Sequence, residues 1–229
     1  MGLLTGKKAF ITGAEQGIGK ESAKKLIEAG CDIYIHYFSG EEGPRELLAF
    51  AEQRGARAAC GFADLTNEDD AARCVAEAAE FLGGIDILVN NVGGIIARKW
   101  LGEIDAHFWR TVIDVNMTTM MNVTQQALPW LKAASEGASI VNLASLAGRS
   151  GGHAGSLVYS TTKGAVLTWT RSLAAELGEH GIRVNAVAPG LILGTRFHNQ
   201  HTTQASADRT IQEIPLGRAG TAEDVARVI

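Results

Sequence analysis

Short apolar runs alternate along the chain with longer stretches in which apolar positions recur every three or four residues. "KKAFITG" reads as a strand and "GIGKESAKKLIEAG" as a helix closed by Gly30. "CDIYIHYF" is the next strand, followed by "PRELLAFAEQRG", a helix opened by Pro44. "ARAACGFAD" is a strand, and "NEDDAARCVAEAAEFLG" a helix with Asn67 as its cap and acids in its first turn. "GIDILVNN", "ASIVNLAS" and "GIRVNAVAPG" are strands; 105–134 and 157–179 are helical stretches. This rhythm predicts parallel βαβ units in an α/β, doubly wound Rossmann sheet. No linker or repeat divides the chain, so residues 1–229 read as a single domain. The polar stretch 191–219 breaks the rhythm after a strand's carboxyl end, the ligand side of such folds, and reads as a substrate lid.

Composition narrows the picture. The chain is 46% hydrophobic, enough for a sizeable core, and its net charge of −4 gives no electrostatic case for nucleic acid. No apolar run approaches membrane-spanning length, and the start lacks a signal-peptide pattern. Cys31, Cys60 and Cys74 lack CxxC spacing and read as reduced thiols of a cytoplasmic protein. The histidines show no paired metal spacing, so no metal is expected.

The chemistry begins at "TGAEQGIG". Gly13, Gly17 and Gly19, with Glu15, Gln16 and Ile18 between them, form a strand–turn–helix able to cradle a pyrophosphate on backbone N–H groups. Dinucleotide folds that take NAD usually place an acid at the end of the second strand. Tyr37, Phe38 and Ser39 stand there, which favours NADP over NAD. Asp64, followed by Leu65, ends the third strand and is a candidate acceptor for an adenine amino group; the alternative is an ordinary turn aspartate. Asn91, Val92 and Gly93 leave room for a flat cofactor at the fourth strand end. Tyr159 and Lys163 are one helical turn apart and share a face. They are either a surface pair or an acid/base pair in which the ammonium lowers the phenol's pKa.

"TGAEQGIG", "NNVGG", Asn116 in "VNMTT", Ser145 in "VNLASLAG", "YSTTK" and "APG" occur in this order over nearly the whole chain. On these motifs the chain resembles the short-chain dehydrogenase/reductase family, and within it 3-oxoacyl-acyl-carrier-protein reductases and sugar or polyol dehydrogenases. The resemblance implies strand order 3-2-1-4-5-6 and a nicotinamide-dependent oxidoreductase acting on a carbonyl or secondary alcohol. It makes Tyr159 the general acid/base, Ser145 the partner of the reacting oxygen, Lys163 the holder of the nicotinamide ribose and Asn116 the holder of a relay water. Pro189 and Gly190 would flank the cofactor, with Thr195 or the backbone of Ile192 on its carboxamide. A homo-oligomer is implied as well.

Three departures follow. Ser145 and Tyr159 are fourteen apart, where the family commonly has about thirteen. Gly194 stands where the family usually has Thr. The chain ends at "TAEDVARVI", so the family's last strand and Gly-rich tail are expected to be missing from it. A carrier-protein substrate would call for a basic patch, for which Arg98, Lys99 and Arg149 are candidates, whereas His198 and His201 could face a polyol. The alternative class is a non-catalytic cofactor-binding or regulatory protein of the same fold. A flavin- or adenylate-binding Rossmann protein would have no use for the Tyr/Lys pair.

Overall fold

The computed structural model describes residues 2–195 and 202–229. Six strands form one parallel sheet: β1 (Lys8–Ile11), β2 (Asp32–Tyr37), β3 (Ala58–Phe62), β4 (Ile87–Asn90), β5 (Ala138–Leu143) and β6 (Ile182–Val187). Their order is β3-β2-β1-β4-β5-β6, as expected. Every pair is parallel, with Phe10 level with Tyr34 on one side and Leu88 on the other. The chain reverses direction across the sheet between β1 and β4. In a doubly wound sheet this reversal opens a crevice at the strands' carboxyl ends.

Helices cover both faces. On one side α1 (Gly17–Glu28) and α2 (Glu42–Glu52) pack Leu26, Ile27 and Leu47 against Ile11, Ile33 and Ile35. On the other, α3 (Glu68–Leu82), α5 (Thr119–Lys132) and the long α7 (Leu157–Leu177) enclose Phe10, Leu88 and Ile140. Successive strand residues serve opposite cores, so β1 and β4 are apolar except for Lys8 at the start of one and Asn90 at the end of the other. Leu88→Ala would open a cavity between two covered layers.

The expected helix signals hold in part. Asn67 caps α3 by accepting from the Asp70 N–H. The second helix starts at Glu42, earlier than the expected Pro44 opening. Pro44 is in the first turn, where its missing N–H would have had no intrahelical partner. The stretch 105–134 is not one regular helix. α4 (Ala106–Ile113) runs into a π-helical turn (Asp114–Thr118) before α5 begins. Beyond β5 come α6 (Ala147–Ser150) and then α7. The polar stretch contains α8 (Gln204–Glu213), capped by Thr203, and is followed by α9 (Ala222–Ala226), which packs on α1. His198 and His201 lie outside the described residues. No helix among the described residues is long and apolar enough to cross a membrane.

Candidate active site

A cleft of about 960 Å³ runs along the carboxyl edge of the sheet from the Gly-rich turn to Tyr159. Gly13, Glu15, Gln16, Gly17, Ile18 and Gly19 line its first end. This turn is pinned from three sides. The Gly13 N–H donates to His36 Nδ1 (3.1 Å), the Ala14 N–H to the His36 carbonyl (3.0 Å), and Asn91 Nδ2 to the carbonyls of Thr12 and Gly13 (2.9 and 2.7 Å). Gly19 allows the closest approach: a Cβ there would collide with the Gly13 carbonyl and come within 2.5 Å of Asn91 Nδ2. The turn must therefore be backbone alone at this point, and it leads directly into the N-terminus of α1, a favourable place for an anion.

His36 is a site residue the sequence reading missed. It is fully buried in β2, with Nε2 3.0 Å from the Ala63 carbonyl. Since Nδ1 accepts from Gly13, the proton sits on Nε2 and donates to Ala63. Burial pushes its pKa below the ordinary 6.5, opposed by Ala63, Glu15 and Asp64. A second proton would cost the ring its acceptor atom. The native state therefore takes up fewer protons than the unfolded state below the unfolded value of about 6.5. Stability from this group is present above that pH and is lost as pH falls through the lower folded value. The Tm of the wild-type protein is expected to fall more steeply between about pH 6.5 and 5 than that of His36→Gln. Parallel slopes in scanning calorimetry would refute this role.

The remaining predicted cofactor residues divide into two groups. Phe38, Asp64, Leu65, Asn91, Val92, Gly93, Pro189, Gly190, Ile192 and Thr195 all line the cleft. Asp64 Oδ1 accepts from the Thr66 N–H (3.0 Å) and hydroxyl (2.6 Å), so the turn role and the place on the cleft wall coexist. Thr195 Oγ1 donates to the Ile192 carbonyl (3.1 Å), which makes the two carboxamide candidates neighbours on one wall. Tyr37 and Ser39 are not on the wall. Tyr37 makes an edge contact with Phe62, drawn there by an exposed aromatic neighbour, and Ser39 donates to Glu15.

At the other end the structure gathers the reactive candidates. Ser145, Tyr159 and Lys163 all line the cleft, and the Tyr159 phenol is hydrogen-bonded to Ser145. Between them lie α6 and a loop in which Gly151, Gly152 and Gly155 take left-handed backbone. Ser145 Oγ also accepts from the Ala147 N–H (3.1 Å), which fixes its orientation. Lys163 is 4% exposed, and its ammonium donates to the Leu143 carbonyl at 2.6 Å. Burial alone lowers its pKa to about 8.

One electrostatic expectation is corrected. Lys163 was expected to draw the Tyr159 phenol down. Instead burial pushes that phenol above its ordinary 10.0, and Ser145, not Lys163, opposes the rise. The ammonium is 5.9 Å from the Tyr159 ring centre and donates one of its three N–H groups to the Leu143 carbonyl.

Asn116 is buried in the π turn and is not on the cleft wall. Its Nδ2 donates to the carbonyls of Gly94 (2.8 Å) and Val112 (2.9 Å), and its Oδ1 accepts from the Gly94 N–H (3.0 Å). It thus clamps the loop after β4. A Cβ on Gly93 would lie 2.8 Å from both Asn116 Oδ1 and Lys163 Nζ, so bare backbone separates the clamp from the buried amine. Nearby Ile96 takes a left-handed φ of 62° on the cleft wall. Such a conformation costs a β-branched residue on the order of 1–3 kcal/mol and is typical of functional loops.

These features suit a long, two-ended ligand: a backbone anion cradle at one end, and a phenol, hydroxyl and amine at the other. Comparison with known proteins agrees. Residues 13–229 match the family described as Enoyl-(Acyl carrier protein) reductase. The chain is 36% identical to a 3-oxoacyl-[acyl-carrier-protein] reductase FabG of Aquifex aeolicus, over 99% of this chain and 89% of that protein. It is 32% identical to the Staphylococcus aureus protein of that name, over 97% and 89%. Among solved structures, a short-chain dehydrogenase from Burkholderia cenocepacia in complex with NADP superposes with a TM-score of 0.91 at 33% identity, covering 99% of this chain and 89% of that one. An NADH-dependent reductase responsible for alginate metabolism gives 0.89 at 30%, covering 98% and 88%. The chain belongs to the short-chain dehydrogenase/reductase family, as an NAD(P)-dependent oxidoreductase.

Proposed function

We propose that the chain reduces a 3-oxoacyl-type carbonyl to the corresponding hydroxyacyl group. The observation that carries this reading is the meeting of Ser145, Tyr159 and Lys163 in the cleft that begins at the Gly-rich turn. The cradle, with Gly19 as bare backbone, fits a dinucleotide pyrophosphate; Pro189, Gly190 and the Ile192–Thr195 wall would hold its nicotinamide end. When bound, that cofactor supplies or accepts the hydride. The chain's own residues handle the oxygen. Ser145 holds and polarises the carbonyl oxygen, and Tyr159 gives it a proton. A phenol kept protonated by burial suits that direction. Lys163 would hold the nicotinamide ribose. Asn116 fixes the loop beneath it, and its relay-water role belongs to the proposal.

Three observations favour an acyl substrate. The curated relatives bear 3-oxoacyl reductase names. Ile96 and Leu146, both substantially exposed, give the cleft apolar surface. Arg98 lines the cleft and donates to the Ala154 carbonyl, and the Lys99 N–H donates to that of Gly155. Arg98 is thus the cation of this pair on the cleft wall, while the Lys99 ammonium lies 3.5 Å from Asp105 Oδ2 and over the Phe108 ring. A polyol substrate is favoured instead by the hydroxyls of Thr202, Ser206 and Thr210, which line the cleft beside Glu213. The reading treats 191–219 as a substrate lid on the same ground. It extends to a homo-oligomer, supported by the exposed indoles of Trp109 and Trp130, and to a cytoplasmic setting, supported by three free cysteines.

Nicotinamide absorbance over a panel of 3-oxoacyl thioesters, ketoses and polyols tests the substrate class. Thioester kcat/KM is expected to exceed that of any polyol by at least about tenfold, the worth of one good hydrogen bond or buried methylene pair. The reverse order would reassign the substrate. Dinucleotide binding with no turnover of any panel member would favour the non-catalytic alternative.

A further inference from the structure

Glu15 holds an unusual position. Its Oε1 accepts from the Ser39 hydroxyl at 3.2 Å, while Oε2 is buried and has no hydrogen-bond partner among the described residues. A buried carboxylate oxygen left unpaired is costly, and native structures rarely keep one without a use. Glu15 lines the cleft at the Gly-rich turn, with Gln16 and Phe38 on the same wall. Its backbone is held firmly: Gly13 and Ala14 are tied to His36, and Gly43 at the start of α2 packs directly on the Glu15 carbonyl.

We propose that the Glu15 carboxylate, braced by Ser39, accepts hydrogen bonds from the adenosine ribose hydroxyls and so selects NAD(H) over NADP(H). This rests on the nicotinamide-dependent reading of the cleft and deepens it. The expectation of NADP came from the missing acid at the end of β2. Phe38 and Ser39 do stand there, and the carboxylate arrives from the Gly-rich turn instead. A ribose diol seated there brings O–H donors to the carboxylate, whose rotation turns the unpaired Oε2 towards them, and hydrogen bonds to a charged acceptor are the strong kind. A 2′-phosphate brings like charge and no such donor. Among the described residues no cation compensates: Arg98 and Lys163, the Lys and Arg residues on the described cleft wall, both belong to its catalytic end. Nearby Lys20 is paired with Glu46 and Arg45 with Glu41, and neither lines the cleft.

The test is equilibrium binding of NADH and NADPH without substrate, read by nicotinamide fluorescence, on the wild-type protein, Glu15→Gln and Ser39→Ala. The wild-type protein should bind NADH at least about tenfold more tightly than NADPH, the worth of a charged hydrogen bond. Glu15→Gln should cut that preference by about 10–100-fold through weaker NADH and tighter NADPH binding. Ser39→Ala should weaken NADH by a few-fold and serves as the deciding variant if Glu15→Gln fails to fold by circular dichroism. Tighter NADPH binding by the wild-type protein, or an unchanged preference in the folded variants, would overturn the proposal. Binding of neither dinucleotide would overturn the nicotinamide reading with it. Selective NADH binding without turnover would uphold this inference and count only against catalysis.

Discussion

Tyr159→Phe is expected to lower kcat by about 10²- to 10⁴-fold while leaving the dinucleotide Kd within a few-fold. The substitution removes one oxygen. That oxygen is the side-chain proton donor that meets Ser145 in the cleft. The ring stays, so the packing of α7 against its neighbours is preserved. Ser145 keeps its bond from the Ala147 N–H and so keeps its orientation. A carbonyl could still bind and be polarised by Ser145, but the developing alkoxide would have to find its proton in solvent. The loss should therefore fall on kcat. Single-turnover mixing of enzyme, reduced cofactor and substrate separates the chemical step from binding. Turnover within a few-fold of the wild-type rate would remove Tyr159 from the mechanism.

The parts of this site differ in how plainly they could be read. The strand ends were legible because a buried parallel sheet needs continuous apolar runs, and a Gly-rich turn after the first of them has few other uses. Tyr159 and Lys163 could be paired on helical spacing alone. Other features carried no local signal. The π turn at Asp114–Thr118 inserts within an unbroken helical pattern, so the clamp that Asn116 makes on Gly94 had no sequence signal. α8 was hidden by its polar composition, although Thr203 supplies an ordinary cap. His36 did leave a clue. It is a polar residue inside the apolar run of β2, buried on both faces of the sheet, where such a group must find partners. Its partners, Gly13 and Ala63, come from two other loops, and only the folded sheet brings them together. Glu15 is the same case: it is remote in sequence from the β2 end it serves.

Lys163→Met is expected to reduce turnover by at least about 10²-fold and yet raise Tm at neutral pH. The amine is buried, and its pKa falls from 10.5 to about 8 through desolvation alone. That difference corresponds to about 3 kcal/mol by which folding disfavours the charged form. Met fills a similar volume and carries no charge to desolvate. Against this gain stands the loss of the 2.6 Å charge-assisted hydrogen bond to the Leu143 carbonyl, a term of about 1.5–3 kcal/mol. The balance favours the variant by at most about 1.5 kcal/mol, up to about 6 °C in Tm for a chain of this size. The sign can be checked through pH. Between about 8 and 10.5 the unfolded wild-type chain still holds the proton that the folded chain has released, so wild-type stability rises with pH there. The gap in Tm between the two proteins should thus narrow from pH 7 to pH 10. A variant that is less stable at pH 7, or a gap that widens with pH, would mean that the amine stabilises the fold. The expected pattern would mark Lys163 as a group kept at a cost to stability for its work in the cleft, beside the bare backbone of Gly93.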